Sequence, residues 1–430
     1  MRKNIFICII FAVSISACTE ELDKEINIET NSSLYDLSES EALTIAKTFH
    51  ESVTSEPRTR DNNTAFGIKS TYRLHTSEKT RALSSEKLPL IYEIEINNGP
   101  KNGRIIVSGD KRFQKVLAYI PSFNDSVYQV SLGPNIMMQM AKNILMEKIQ
   151  NYKDTSSTRS RPVESIPGEV SVMIVPFCRT NWHQFTPYNQ LLPQAFVERY
   201  ERISPNRPGG ALYGNYPTGQ ASIAIAQAMA YLRPYLNIDG ININWEILTM
   251  EKEATQSNEK MIATLLKYVY NTIGAYPVWG ECYNYDKWTA TGPSTEIVNS
   301  VIAVKTPIRN ISRQINTSQC GLTCDNDQSW NLEVVKKSLL SLYPVFVGNL
   351  DKVAFLVDGY AINEENSVYL HCNFGMNESF NGYYMVNDNG SIVFEPGGYF
   401  YRDTTLGIIA NIRNKYMCLS YYQFYAIHSV

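Results

Sequence analysis

Residues 216–231, YPTGQASIAIAQAMAY, constrain the fold more than any other stretch of the chain. Pro217 and Gly219 mark a turn, and the twelve residues after them contain no helix breaker. Thr218 is placed to cap the first turn through its hydroxyl. Ala221, Ala224, Ala226, Ala228 and Ala230 make the predicted helix thin, so neighbouring backbone can approach on most sides. Ile223, Ile225 and Met229 supply apolar bulk. Such a helix belongs in the middle of a domain. Its N-terminus, at Gly219-Gln220, carries free N–H groups and the positive end of the helix dipole. A thiolate there would be stabilised; a glutamine amide has no anionic form and is not a nucleophile.

The start of the chain carries an address. Arg2-Lys3, an apolar run from Ile5 to Ile15, and Ser16-Ala17-Cys18 read as a signal peptide (1–17) ending in a lipobox. The apolar run is too short to span a bilayer permanently. Acyl chains on Cys18, each buried CH₂ contributing about 0.8 kcal/mol, are the expected membrane attachment. The acidic Glu20-Glu21-Leu22-Asp23 resembles a tag that sends some Gram-negative lipoproteins outward, so the outer membrane or cell surface is the expected location. A net charge of −3 without a Lys/Arg run argues against a nucleic-acid partner.

The later cysteines are Cys178, Cys282, Cys320, Cys324, Cys372 and Cys418. Cys320 and Cys324 share a polar loop and could pair. No histidine neighbours them as a second ligand pair, so no metal is expected, and no cofactor motif is present.

Residues 18–35 are polar and acidic and read as a tether. Ser38 and Glu41 form a capping-box pattern before Leu43, Ala46 and Phe49 at helical spacing. One strand is expected around Tyr72. LIYEIEI, RIIVSG and VLAYI follow as a meander, and a helix over 135–152 closes a small α+β unit, residues 36–152. The Ser/Thr/Arg/Pro segment 153–168 cannot bury itself and reads as an exposed linker. A second domain, 169–430, begins with the strand VSVMIVPF. After the alanine-rich helix come an amphipathic helix at 261–276, a Tyr/Trp/Gly loop at 281–293, a helix over 296–304 and another over 331–342. VAFLVDGY, VYLHCNFG and NGYYMV then read as antiparallel strands.

Several of these stretches together resemble the streptopain family of papain-like cysteine peptidases. That family reads Thr-Gly-Cys-Val-Ala-x-Ala-x-Ala-Gln-x-Met-x-Tyr at its active-site helix. Thr218, Gly219, Ala224, Ala226, Gln227, Met229 and Tyr231 fit, and Gln220 stands in place of the cysteine. Trp182, Gln184, Pro187, Tyr188 and Asn189 match the family's Trp-x-Gln-x-x-Pro-Tyr-Asn segment. Ala354, Phe355, Asp358, Gly359, His371, Asn373, Gly375 and Gly382 match its C-terminal strands. Val353 falls on the catalytic histidine and Phe374 on a tryptophan. Residues 36–152 resemble the family's pro-domain.

The resemblance implies an α+β protein: a meander-plus-helix pro-domain, then a papain-like domain with a helical half and an antiparallel-sheet half. It implies a cleft lined by Trp182, Gln184, Gly219 and Phe374, with Gln220, Val353 and Asn373 at the positions of nucleophile, base and orienting residue. Gln220 cannot attack a carbonyl and Val353 cannot move a proton, and losing the nucleophile alone costs about 10⁶ in turnover in a serine peptidase. The chain is therefore expected to be a pseudopeptidase binding a peptide or protein. The alternatives are a working cysteine peptidase, or an inhibitor of a sister peptidase.

Overall fold

The computed structural model describes residues 34–54, 64–74, 88–98, 101–124, 132–152, 166–195, 214–278, 303–305, 308–349, 353–388, 390–392, 404–416 and 427–429. Cys18, Cys282, Cys418, the signal segment, nearly all of the tether, most of the linker and the 281–293 loop lie outside them.

Helix α1 (Glu39–Val53) starts as its sequence dictates. The Ser38 hydroxyl accepts from the Glu41 N–H, and the Glu41 carboxylate accepts from the Ser38 N–H at 2.7 Å. Two donors that a helix end leaves orphaned are thereby satisfied. Ala42, Ile45, Ala46 and Phe49 are its buried face. They pack on the antiparallel meander of β1 (Ala65–Arg73), β2 (Leu90–Asn98), β3 (Lys101–Ser108) and β4 (Val116–Ile120). Helix α2 (Leu132–Gln150) follows.

The rest of the chain continues the same sheet. Its strands are β5 (Val172–Ile174), β6 (Gln328–Ser329), β7 (Val345–Asn349), β8 (Val353–Ile362), β9 (Val368–Asn373), β10 (Gly382–Val386), β11 (Gly407–Ile409) and β12 (Ile427–Ser429). The twelve strands run in the order β1-β2-β3-β4-β10-β9-β8-β7-β11-β6, with β5 bridging β8 and β12. The junction is β4 against β10, where Tyr119 pairs with Tyr383 and Ala118 with Tyr384. Helix α2 straddles this junction, packing on β4, β8 and β10.

Helix α3 (Gln220–Leu232) is the thin helix expected from its alanines. Ala221 through Ala230 and Leu232 are all buried. Against it lie β8 and α5 (Glu259–Thr272), whose Ile262, Leu265, Leu266 and Val269 form the inward face. Between them runs the short α4 (Trp245–Leu248), capped by Asn244. Helices α6 (Ile308–Thr317) and α7 (Leu332–Leu340) complete the domain.

Strands β7 and β8 separate two cores by simple alternation. Val345, Val347, Val353, Phe355 and Val357 belong to the core shared with the N-terminal unit. Phe346, Ala354 and Leu356 belong to the core around α3.

Two sequence expectations change. Ala303–Lys305 is a strand paired with Tyr276–Val278, where a helix over 296–304 is expected to end; residues 296–302 lie outside the described residues. Pairing with a neighbouring segment overrides a weak local helical pattern there. Cys320 and Cys324 are free and buried, and each thiol donates to a carbonyl of α6, at Ile315 and Ser312.

A candidate cleft at the head of the alanine-rich helix

Gly219 is the N-cap of α3, with φ +79, a left-handed conformation in which a side chain would be strained. It offers no side-chain cap. The Thr218 hydroxyl, expected to cap this turn, is buried without a hydrogen-bond partner. Its backbone N–H instead donates to the Gln184 carbonyl at 3.1 Å. Thr218 sits one residue too early to reach the first-turn donors.

Gln220 opens the helix, half-buried, and its Oε1 accepts from the Ala354 N–H at 3.1 Å. The group that meets Gln220 is therefore the backbone of β8. The Val353 side chain lies in the other core, with Phe355 and Val357.

Asn373 is buried and bonds elsewhere. Its Oδ1 accepts from Gln227 Nε2 and from the Gly375 N–H, each at 3.1 Å. Its Nδ2 donates to the Thr180 carbonyl at 3.1 Å and to Gln227 Oε1 at 3.4 Å. Gln227 Oε1 also accepts from the Trp182 N–H at 3.1 Å. This amide pair ties α3, β9 and the Trp182 segment together. The side-chain bonds of Asn373 thus run to Gln227, Thr180 and Gly375, not to residue 353 or 220.

Of the four expected cleft residues, Gln184 and Gly219 stand at the head of α3. Trp182 and Phe374, expected to line the cleft, are 0% and 1% exposed, so they are core side chains instead. Phe374 is covered partly by the N-terminal unit. A Cβ added to Gly133 of α2 would lie 2.6 Å from its ring, and Phe355 and Tyr384 flank it.

His371 has a partner that the sequence did not announce. Between Val357 and Gly359 the β8–β9 register slips, leaving Asp358 as an extra residue. The bulge aims the fully buried Asp358 at His371, whose Nδ1 lies 2.6 Å from Oδ1. Asp358 Oδ2 accepts from the Cys178 N–H at 3.0 Å.

Three of the described thiols are poor nucleophiles. Burial, reinforced by Asp358, pushes the Cys178 and Cys372 thiols well up. Burial, with Asp325 and Cys320 nearby, pushes Cys324 up to about 12. His183, beside Gln184, has its imidazole held below the ordinary range by burial; its Nδ1 accepts from the Phe185 N–H at 3.2 Å. Among the described residues, no group of three or more His, Cys, Asp or Glu could hold a metal ion, and no helix is long and apolar enough to cross a membrane.

Comparison with known proteins gives two family matches. Residues 182–384 match the Peptidase C10 family, and residues 35–146 match the Spi protease inhibitor family. Among solved structures, the chain is similar to the active wild-type interpain A cysteine protease of Prevotella intermedia. The identity is 16% and the TM-score 0.34, over 58% of this chain and 99% of that one. No curated protein matches.

Proposed function

Because residues 182–384 belong to the Peptidase C10 (streptopain) family, with a Spi-type unit at residues 35–146, we propose that this protein is a catalytically inactive member binding a peptide or protein in the inherited cleft. One observation carries the reading. At the head of α3, where the family keeps its nucleophile, the Gln220 carboxamide accepts from the Ala354 N–H. A carboxamide can neither attack a carbonyl nor activate a neighbour that would. The raised thiols of Cys178, Cys324 and Cys372 are poor replacements for the family's nucleophile, and Cys320 is buried with its thiol turned to the Ile315 carbonyl. The lipobox at Cys18 and the acidic Glu20-Glu21-Leu22-Asp23 after it support, on this reading, attachment at the outer membrane or cell surface.

The test is turnover of casein and of small acyl substrates by the purified chain, with none expected. Activity that survives purification and is lost on replacing Cys178, Cys282 or Cys372 would establish the working peptidase instead. The Spi-type match supports a further reading, inhibition of a sister peptidase in trans. Against it stands β4, whose edge is already paired to β10 of the same chain.

A further inference from the structure

We infer that Gln220 is itself a ligand-binding residue: its Nε2 donates to a backbone carbonyl of a peptide lying across the head of α3. This rests on the cleft being a peptide-binding site, and it turns the family's point of attack into a point of capture.

The argument begins with the orientation of the amide. The oxygen and nitrogen of a carboxamide are nearly the same size, so hydrogen-bond partners decide which way it points. The Ala354 N–H can only donate. The atom 3.1 Å from it must therefore be the acceptor, Oε1. Flipping the amide would set one donor against another and leave a strand N–H unsatisfied, which is costly at a buried position. Ala354 is 9% exposed, so water is a poor substitute. Oε1 is consequently fixed, and Nε2 is fixed with it on the side away from Ala354.

Nε2 carries two N–H donors, and no group among the described residues accepts from them. Gln220 is only half-buried, so these donors are open to a ligand. The first-turn N–H groups of α3 lie at the same end, where Gly219 provides no side-chain cap. The segment that meets this turn carries Gln184, whose backbone carbonyl accepts from the Thr218 N–H, and His183, whose imidazole burial holds below the ordinary range; neither is charged at neutral pH. A cluster of donors without a formal charge suits a neutral acceptor. A peptide carbonyl is the acceptor that recurs along any extended chain.

The test uses the full chain and a tryptic digest of reduced casein as probe. Bound peptides are identified by mass, and the tightest is labelled for fluorescence anisotropy. The decisive variant is Q220E. It keeps the length and the acceptor facing Ala354, and a carboxylate suits a helix N-terminus, but it presents an acceptor where Nε2 presented donors. The expected result is at least tenfold weaker binding with an unchanged melting temperature. Q220M, which has neither donor nor acceptor, should weaken binding about three- to tenfold. It carries the test should Q220E alter stability. Thioamide replacement along the peptide should find one carbonyl whose effect in the wild type disappears in Q220M. Equal binding by wild type, Q220E and Q220M would overturn the role of Gln220 while leaving a peptide-binding cleft. Failure of the wild type to bind any peptide would overturn the cleft reading, and this inference with it.

Discussion

Tyr119 of the N-terminal meander stands opposite Tyr383 of β10, and this pairing joins the meander and the C-terminal strands into one sheet. On one side of the junction Tyr119 Oη lies 3.1 Å from His50 Nδ1, and on the other the Tyr383 ring meets His371 edge-on at 5.2 Å. Phe49 of α1 reaches across to Tyr369 at 4.9 Å, Phe123 meets Phe380 at 5.3 Å, and Lys115 pairs with Glu365 at 2.7 Å. A detachable pro-domain needs a surface that can become solvent-exposed again. Here such exposure would uncover a strand edge on each side and several buried aromatic rings.

The first prediction follows from that junction. Purified chain should keep its N-terminal unit, and after limited trypsin treatment the two parts should co-elute on size exclusion. Gly382→Ala should weaken the joint, because an added Cβ would run into the Tyr119 carbonyl. Overpacking of this kind costs about 1–3 kcal/mol. Spontaneous loss of the N-terminal unit, blocked by a thiol alkylator, would contradict both the junction and the proposed inactivity.

His50 makes the fold sensitive to acid. Burial holds its imidazole below the usual range, with Glu51 opposing. Lys47 and Glu51 share its helix; β1 presents Phe66 and β4 presents Tyr119. With a folded value depressed below the unfolded one of about 6.5, its contribution is complete above pH 6.5. It is lost as pH falls from there through the folded value, because the unfolded chain takes up the proton first. Urea midpoints between pH 8 and 5 should therefore decline, and His50→Gln should flatten part of the decline. His183, shifted the same way, supplies another part.

The Asn373–Gln227 pair should behave as a strut. Asn373→Ala leaves the buried Gln227 amide short of partners, and the expected loss is about 1–3 kcal/mol. Gln227→Ala should cost a similar amount. The double variant should cost less than the sum, as a double-mutant cycle by chemical denaturation can measure. Strict additivity would remove the strut.

Some of this was legible in the residues. Ser38 and Glu41 announce α1 because a capping box is local chemistry, and the alanines of α3 announce a helix buried on nearly every side. Helix α6 was missed, although Ile308, Ile311 and Ile315 recur at helical spacing. The junction left a fainter trace. VLAYI has no polar alternation, and all five residues are buried, which fits an interior strand better than an edge. Its partner lies more than 250 residues away, and nothing local specifies it. The facing of Val353 was hidden for a related reason. VAFLV is apolar throughout, so pattern alone cannot say which residues turn toward α3.

That facing yields the sharpest prediction. Family correspondence puts the missing imidazole at residue 353, but strand alternation puts the Ala354 side chain, not Val353, in the core around α3. A histidine at 353 would be buried among Phe355 and Val357, where desolvation disfavours its charged form. A histidine at 354 would stand on the α3 side, next to residue 220. Gln220→Cys should therefore behave differently with each partner. With Val353→His, only the helix N-terminus stabilises the new thiolate, so its reaction with iodoacetamide should follow the same pH profile as Gln220→Cys alone, and the chain should lose stability. With Ala354→His, the reactive fraction should extend to lower pH than in Gln220→Cys alone, through a thiolate–imidazolium pair. Rate against pH for the two double variants decides between them. Enhanced reactivity with Val353→His alone would restore residue 353 as the position of the base and show that the start of β8 can rotate to present it.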